Sequence, residues 1–413
     1  MHQSQLLEVI ANGENSQVEF KRDDCHPDDI AKEMSALLNL KGGHLLLGVE
    51  DDGSISGLNR SRREAEQWIM NIARTSIQPS AIPIWTCITT KDGKLIGVIE
   101  MSPHGPEKPY KAKTGREWVT YTRAGTTVRR ASREEEGRLY QAAKLVRYEL
   151  KPVPDMGLQD FDRMRLENYF AQILKRQPPH KEDEESWTRL LLNSDFLTRL
   201  EGGTCATVAG LLLFGRSPNR RLPQAGVSAV AFPGSEKDYN TTDEERIRGP
   251  LISYVTDEGS PVHKGVIDQT IDFVKRNMGS EAWLEGARRI RKASLPIEAV
   301  REAVVNALAH RDYWWEGTDV EVSLYADRLE VISPGGLPNG VTVEKMREGV
   351  VRVARNELLK EILRDYRYIE HYGMGVRNRI INAMREHNGT QPDLIAEDHR
   401  FTVRLHKVPL SPT

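Results

Sequence analysis

The chain has 413 residues, of which 38% are hydrophobic and 29% charged, with a formal net charge of −2. That length allows two or three domains, and the near-neutral balance excludes a polycation, so any nucleic-acid surface must be a local patch. Three scattered cysteines, Cys25, Cys87 and Cys205, lack metal-ligand spacing and exclude a disulfide framework. No stretch is apolar and long enough to span a bilayer, and Met1-His2-Gln3-Ser4-Gln5 does not open a signal peptide, so a cytoplasmic location is expected.

In chain order, Leu6–Ile10 reads as a short helix stopped at Asn12-Gly13. Val18 and Phe20 alternate with Glu19 and Lys21, the period of a strand with one buried and one open face. Pro27 opens a helix to about Leu40, with Ile30, Met34, Leu37 and Leu38 on its apolar face. His44–Val49 reads as a buried strand ending in the acidic turn Asp51-Asp52-Gly53. If the two strands are neighbours, Glu14, Glu19, Lys21 and Asp51 converge. Three carboxylates and a lysine suit a hard divalent ion, Mg²⁺ or Mn²⁺, and a phosphodiester: carboxylates hold the metal, the metal lowers the pKa of a water, and the lysine meets developing phosphate charge. Ordinary solvated ion pairs on a strand face are the other reading of the same residues.

Arg62 to Ala73 is amphipathic, and the strands Trp85–Thr90 and Leu95–Met101 are joined by an Asp92-Gly93 hairpin signal. Pro103 to Arg133 then carries Lys108, Lys111, Lys113, Arg116, Arg123, Arg129 and Arg130, interleaved with Tyr110, Trp118 and Tyr121. Cations neutralise phosphates and aromatic rings stack on bases, which makes a nucleic-acid strip. The alternative is a strand with core aromatics and solvated charges. Glu134–Leu150 is expected as a helix, with Lys151–Asp155 as a linker.

The middle of the chain carries fewer signals. Asp160–Leu174 is helical in pattern, Ala206–Phe214 is a buried strand or short helix, Pro223–Phe232 is a strand, and Ile252 toward Met278 reads as a long helix interrupted near Gly259-Ser260-Pro261. After Pro296 a helix runs to Tyr313, with Glu302, Asn306 and His310 on one face at steps of four. A hairpin follows, Asp319–Tyr325 against Leu329–Ile332, and then the loop Ser333-Pro334-Gly335-Gly336. A second glycine pair, Gly373 and Gly375, precedes a helix through Met384, and Phe401–His406 is a last strand. Loop amides at helix starts are suited to phosphate.

The motif Glu-x-Ser-x-x-Glu-Phe-Lys, followed by Leu-x-Asn-x-x-Gly-Gly-x-Leu-Leu-x-Gly-Val-x-Asp, resembles the Schlafen AlbA-2 family, and Tyr121–Arg129 resembles the end of that module. The resemblance implies an α/β nucleic-acid-binding domain. In ribonuclease members its cutting site corresponds to Glu14, Glu19 and Asp51 with Lys21 in support. The C-terminal order of Glu302, Asn306, Gly335-Gly336, Arg355-Asn356, Gly373 and Gly375 resembles the divergent GHKL-type ATP-binding domain often grouped with helicases. There Asn306 would be the magnesium residue, and the two glycine pairs would hold the nucleotide. The first glycine loop lacks the aspartate that reads the adenine amino group in that superfamily, and no Gly-x4-Gly-Lys-Ser/Thr motor loop exists in the chain.

The resulting expectation is an α+β multidomain protein: a Schlafen AlbA-2-like α/β module over 1–140, a linker over 141–155, a middle α/β domain over 156–290 and a GHKL-like α/β sandwich over 291–410. Its expected function is a metal-dependent endoribonuclease acting on tRNA or other structured RNA, controlled by ATP in the C-terminal domain, a homo-oligomer, with phage defence as the setting implied by the resemblance. The alternative is an ATP-responsive DNA-binding transcriptional regulator without nuclease activity; a DNA nuclease using Glu19-Phe20-Lys21 is a third reading.

Overall fold

The computed structural model describes residues 3–40, 42–102, 108–143, 146–256, 258, 260–285, 288–338, 341–369 and 373–407. Glu107, His371 and Tyr372, which belong to the basic stretch and the second glycine motif, lie outside them. The chain forms two compact units, Met1–Val146 and Arg147–Thr413.

The first unit runs α1 (Gln3–Ala11), β1 (Val18–Lys21), α2 (Pro27–Asn39), β2 (Gly43–Leu47), α3 (Arg62–Ser76), β3 (Ile77–Gln78), β4 (Ile84–Thr89), β5 (Leu95–Met101), β6 (Lys111–Thr114), β7 (Glu117–Ala124), β8 (Thr127–Arg130) and α4 (Arg133–Ala142). Helix starts follow their local chemistry: Pro27 sits in the first turn of α2 with His26 as cap, and Ser61–Glu64 and Ser132–Glu135 form reciprocal capping boxes. One sheet has the order β1-β2-β5-β4, with β1 and β2 parallel; a second has the order β3-β6-β7-β8. Val18, Phe20, Leu46 and Val98 pack with Leu6 and Ile10 of α1 on one face of the first sheet. Leu45, Leu47, Ile99 and Met101 pack with α2 and α3 on the other. Each large side chain so buried contributes about 1.5–3 kcal/mol.

The second unit runs β9 (Pro152–Val153), α5 (Arg163–Asn168), a wide-turn π-helix (Tyr169–Ile173), α6 (Glu184–Asn193), β10 (Leu197–Leu200), β11 (Gly203–Thr207), α7 (Val208–Phe214), β12 (Gly226–Ala231), β13 (Asp243–Arg248), β14 (Tyr254–Val255), β15 (Pro261–His263), α8 (Val266–Asn277), β16 (Ser280–Glu285), β17 (Arg288–Ala293), α9 (Ile297–Ala309), β18 (Val320–Leu324), β19 (Arg328–Pro334), α10 (Val343–Glu348), α11 (Glu357–Asp365), a second π-helix (Val376–Asn382), α12 (Ala383–Asn388), β20 (Asp393–Ala396) and β21 (Arg400–His406). Its main sheet has the order β13-β12-β18-β19-β21-β20, with β12 and β18 parallel. Helices α8 and α9 pack on each other and against β12 and β19 of that sheet. The sheet takes strands from both sides of residue 290, where a domain boundary was expected.

Several local expectations are corrected. The helix expected over Glu134–Leu150 ends at Ala142, and Tyr148–Leu150 forms a separate 3₁₀ turn. Residues expected as a linker contribute β9, which pairs with β11. Tyr254–Val255 and Pro261–His263 form a small antiparallel pair, so the helix expected from Ile252 begins only at Val266. Asn168 causes this: its side-chain amide donates to the Val255 carbonyl (2.7 Å) and accepts from the Val255 amide (3.0 Å), replacing a strand neighbour. The helix expected to reach Tyr313 stops at Ala309, capped by His310.

Candidate functional sites

The carboxylates of the first unit converge, in an arrangement unlike the expected one. Strand β1 has no open face: α1 covers Val18 and Phe20, while Glu19 is buried on the other side. Arg123 of β7 lies fully buried between two carboxylates, donating from Nη2 to Glu19 Oε2 and from Nη1 to Glu33 Oε2, each at 2.7 Å. The same Nη2 reaches the carbonyls of Asn15 (3.2 Å) and Thr126 (3.3 Å). Lys21 Nζ contacts the other Glu19 oxygen directly and lies 3.6 Å from Glu33 Oε1. Glu14, half-buried, accepts the Phe20 amide at 2.8 Å. Asp51 is exposed, and its charge reaches Glu14.

The electrostatics follow from this crowding. Burial, reinforced by the Glu19 charge, pushes the Glu33 carboxyl up to about 7, against the pull of Lys21 and Arg123. Burial and Glu19 also raise Glu14, against the Phe20 amide. Burial opposes the charge on Lys21, but the surrounding carboxylates more than offset it and raise its pKa. As a metal site the set does not fit as it stands, because both Glu19 oxygens are taken by cations. Among the described residues, no group of three or more His, Cys, Asp or Glu side chains is placed to hold a metal ion.

Glu33 was not among the expected site residues, yet the sequence marks it. It lies three residues after Ile30 and four before Leu37, on the apolar stripe of α2. Arg123 shares strand parity with Val119 and Tyr121, which also places it inward.

The basic strip divides into buried and exposed cations. Arg123 and Lys108 are buried and do not face solvent. Lys108 Nζ donates to the carbonyls of Asn39 (2.8 Å) and Leu40, closing the C-terminal end of α2. Tyr110 is buried, with its amide and carbonyl held by Asn39. Lys111 is half-buried and pairs with Glu136 at 3.2 Å. Lys113, Arg116, Arg129, Arg130 and Trp118 are exposed; Arg129 pairs with Glu135 and Arg130 with Glu117. Lys113 sits directly opposite Trp118 in the β6–β7 hairpin.

In the second unit the expected nucleotide residues do come together. Glu302, Asn306, His310, Gly335, Gly336, Gly373 and Gly375 line one cleft of about 130 Å³, whose other wall is largely apolar and includes Val331, Phe401 and Val403. Asn306 Nδ2 donates to Glu302 Oε1 at 2.9 Å, which turns the amide oxygen away, an oxygen donor of the kind Mg²⁺ takes. Gly375 lies so close that a Cβ there would stand 1.9 Å from Glu302 Oε1. Gly335, with φ +100°, leaves no room for a side chain against Asp312 and Arg355. Arg355 donates to the carbonyls of His310 (2.8 Å) and Gly336 (2.6 Å), joining the end of α9 to the first glycine pair. Asn356 donates to the carbonyls of Ala309 (3.0 Å) and Arg311 (2.8 Å). Burial, with the charges of Lys360 and Arg355, pushes His310 down to about 4. Small-molecule sites usually occupy roughly 300–1,000 Å³, so this cleft must widen to take a whole nucleotide.

Residues 14–132 match the family described as "Schlafen, AlbA_2". The chain carries a Schlafen AlbA-2 domain. Residues 317–405 match a second family, described as "Putative ATP-dependent DNA helicase recG C-terminal", so the AlbA-2 domain is followed by an ATPase-type domain. Together these matches point to nucleic-acid binding for the AlbA-2 domain and nucleotide binding for the domain after it. No curated protein matches the chain. Among solved structures, the DIP2311 protein from Corynebacterium diphtheriae is 22% identical, with a TM-score of 0.43, over 98% of this chain and 80% of that one. The N-terminal domain of a "Putative ATP-dependent DNA Helicase RecG-related Protein" from Nitrosomonas europaea is 21% identical, with a TM-score of 0.24, over 32% of this chain and 94% of that one. At these TM-scores neither likeness bears on fold or function. No helix among the described residues is long and apolar enough to cross a membrane.

Proposed function

We propose that this chain is a nucleotide-responsive nucleic-acid-binding protein. The AlbA-2 domain holds the nucleic acid on its exposed cations, and the cleft of the second unit binds ATP and sets how the nucleic acid is engaged. The observation that carries this reading is the cleft: glycine pairs far apart in sequence meet the Glu302–Asn306 face of α9. The binding surface in this reading is Lys113, Arg116, Arg129 and Arg130, with Lys111 at its edge; Lys108 and Arg123 serve the fold. A mobility-shift titration of the full chain with single-stranded RNA, tRNA and duplex DNA, with and without ATP and Mg²⁺, tests it. Salt-sensitive binding whose affinity changes with ATP is the expected result. Absence of binding, or binding indifferent to ATP, refutes it.

The endoribonuclease reading has its own support in Glu14, whose carboxyl lies within charge range of Glu19, Lys21 and Asp51. It requires Glu19 to exchange Arg123 or Lys21 for a metal ion. Discrete cleavage of tRNA with Mn²⁺ by wild type, abolished in the Glu14→Ala/Glu19→Ala pair, establishes it. A clean shift by both proteins without cleavage leaves the DNA- or RNA-binding regulator. Phage defence belongs to the nuclease reading. A nucleotide-dependent homo-oligomer belongs to both, and light scattering that gives a monomer with and without ATP removes it. A cytoplasmic setting accords with the three cysteines, all unpaired.

A further inference from the structure

The first sheet of the AlbA-2 domain ends on β4. The hairpin joining β4 to β5 fixes which of its backbone groups face out. The Thr90 amide donates to the Lys94 carbonyl at 2.8 Å, and backbone groups alternate sides along an antiparallel strand. In the register Ile84↔Glu100 to Thr89↔Leu95, the amides and carbonyls of Ile84, Thr86 and Ile88 therefore turn to β5. Those of Trp85, Cys87 and Thr89 turn outward, and among the described residues none of them meets a partner.

Proteins protect such an edge with charge, proline or shortness. Among the described residues, every other edge strand of four or more residues carries a charged residue: β1, β8, β10, β13, β16, β17 and β20. Strand β4, Ile-Trp-Thr-Cys-Ile-Thr, carries none. Ile84 is 53% exposed, and Ile82 just ahead of the strand is 84% exposed. Trp85 covers Gly97 so closely that a Cβ there has no room, which pins β4 to its sheet. The edge is thus ordered, apolar and open.

A second copy of β4 matches it. With the two strands antiparallel about a twofold axis at Cys87, Trp85 of each copy faces Thr89 of the other, and the two Cys87 residues face each other. All of these are pairs of outward-facing residues, each exchanging two hydrogen bonds, so every free group on both strands is used. An axis one residue to either side sets an outward group against Pro83, which has no amide, or against Lys91 in the hairpin turn. With no charge on either strand, the copies meet without repulsion. Six residues a side is far below the roughly 20–30 of a standard interface, so such a dimer is weak and depends on concentration.

We propose that β4 is a dimerisation edge: two copies of the chain join their AlbA-2 domains by antiparallel pairing of β4 about Cys87, making one continuous sheet. This is independent of the nucleotide cleft and of any assembly that ATP drives. The joined domains present their exposed cations twice to one nucleic acid.

The test is analytical sedimentation of the full chain without nucleotide, from about 1 to 200 µM, using wild type, Ile84→Lys and Cys87→Pro. Wild type should dimerise within that range. Ile84→Lys charges a half-exposed position and should weaken the dimer at least about tenfold, since a twofold seam carries each change twice. Cys87→Pro removes an outward amide, at a place where an edge strand tolerates proline, and should leave a monomer. The native thiols give a second measurement. Diamide, which takes up the two thiol hydrogens as the disulfide forms, should link wild-type dimers from Cys87 to Cys87, because facing residues of a hydrogen-bonded pair stand about 5.5 Å apart at Cα, within disulfide reach. Peptide mapping identifies the link. A wild type that stays monomeric throughout overturns the proposal and leaves the edge to an extended strand of another protein. A dimer that survives Ile84→Lys unchanged overturns it as well, as does one that diamide does not link at Cys87.

Discussion

Replacing Arg123 with methionine removes the guanidinium from between Glu19 and Glu33 while keeping most of the apolar volume. Three carboxylates, Glu14, Glu19 and Glu33, then share Lys21 alone. Removing one partner of a buried ion pair costs about 3–5 kcal/mol, because the remaining charge stays buried. The penalty must depend on pH in a fixed direction. With its pKa pushed up to about 7, Glu33 is ionised at pH 8 and protonated at pH 5.5. The folded chain therefore holds a proton between about pH 4.5 and 7 that the unfolded chain releases. That contribution to stability is complete below pH 4.5 and is lost as pH rises through 7. Without Arg123, the pH 8 state carries an extra uncompensated charge and the pH 5.5 state does not. The Arg123→Met penalty should thus be near the top of its range at pH 8 and smaller by about 1–2 kcal/mol at pH 5.5. Native-state hydrogen exchange of amides in β1 and α2 reads this locally, without requiring the two units to unfold together. A penalty below about 1 kcal/mol at pH 8, or one that grows on acidification, refutes the account of the network.

The remaining predictions concern the surface and the cleft. Lys113→Ala and Arg116→Ala should each reduce the slope of log affinity against log salt by about 1 in the nucleic-acid titration. Lys108→Ala should leave that slope alone and lower the melting temperature, since its amine closes α2. Gly375→Ala places a methyl group on Glu302 and should cost about 1–3 kcal/mol of stability together with most nucleotide binding, read by denaturation and calorimetry. His310 is neutral in the folded chain down to about pH 4, whereas it protonates near 6.5 when unfolded, so stability should fall as pH drops through that window. His310→Gln should flatten that decline, and an unchanged acid profile in the variant would count against the burial assigned to the ring.

What the sequence made legible depended on how local the cause was. Helix α2 was readable because its proline start, apolar stripe and glycine stop all lie within the segment. The hairpins β4–β5 and β18–β19 were readable from the short turns at Asp92-Gly93 and Ala326-Asp327 between apolar strands. The cleft residues of α9 were readable from four-residue spacing alone. Misreadings arose where the deciding partner is remote. Tyr254–Val255 is held extended by Asn168, 87 positions away, so its helical pattern was overruled. Lys108 and Arg123 were counted as surface because composition shows neither strand parity nor remote partners: Arg123 follows Val119 and Tyr121 on the inward face, and Lys108 is drawn in by the carbonyls that end α2. The acidic cluster was found, but its electrostatic state was not, because Glu33 and Arg123 enter it from two other elements.

The segment just after residue 146 bears on how such chains can be cut and recombined. Glu149 is fully buried and accepts the Glu357 amide at the start of α11, Tyr148 lies against Trp314 with ring centroids 4.7 Å apart, and Pro152 pairs with Thr207. Composition makes Lys151-Pro152-Val153-Pro154-Asp155 the inviting place to sever the two halves. A cleavage site or fusion joint placed there would strip the downstream half of a helix cap, a core ring and a sheet edge. A graft that exchanges one AlbA-2 domain for another should therefore join ahead of Arg147, so that the donated half stops before the first residue its neighbour needs in order to fold.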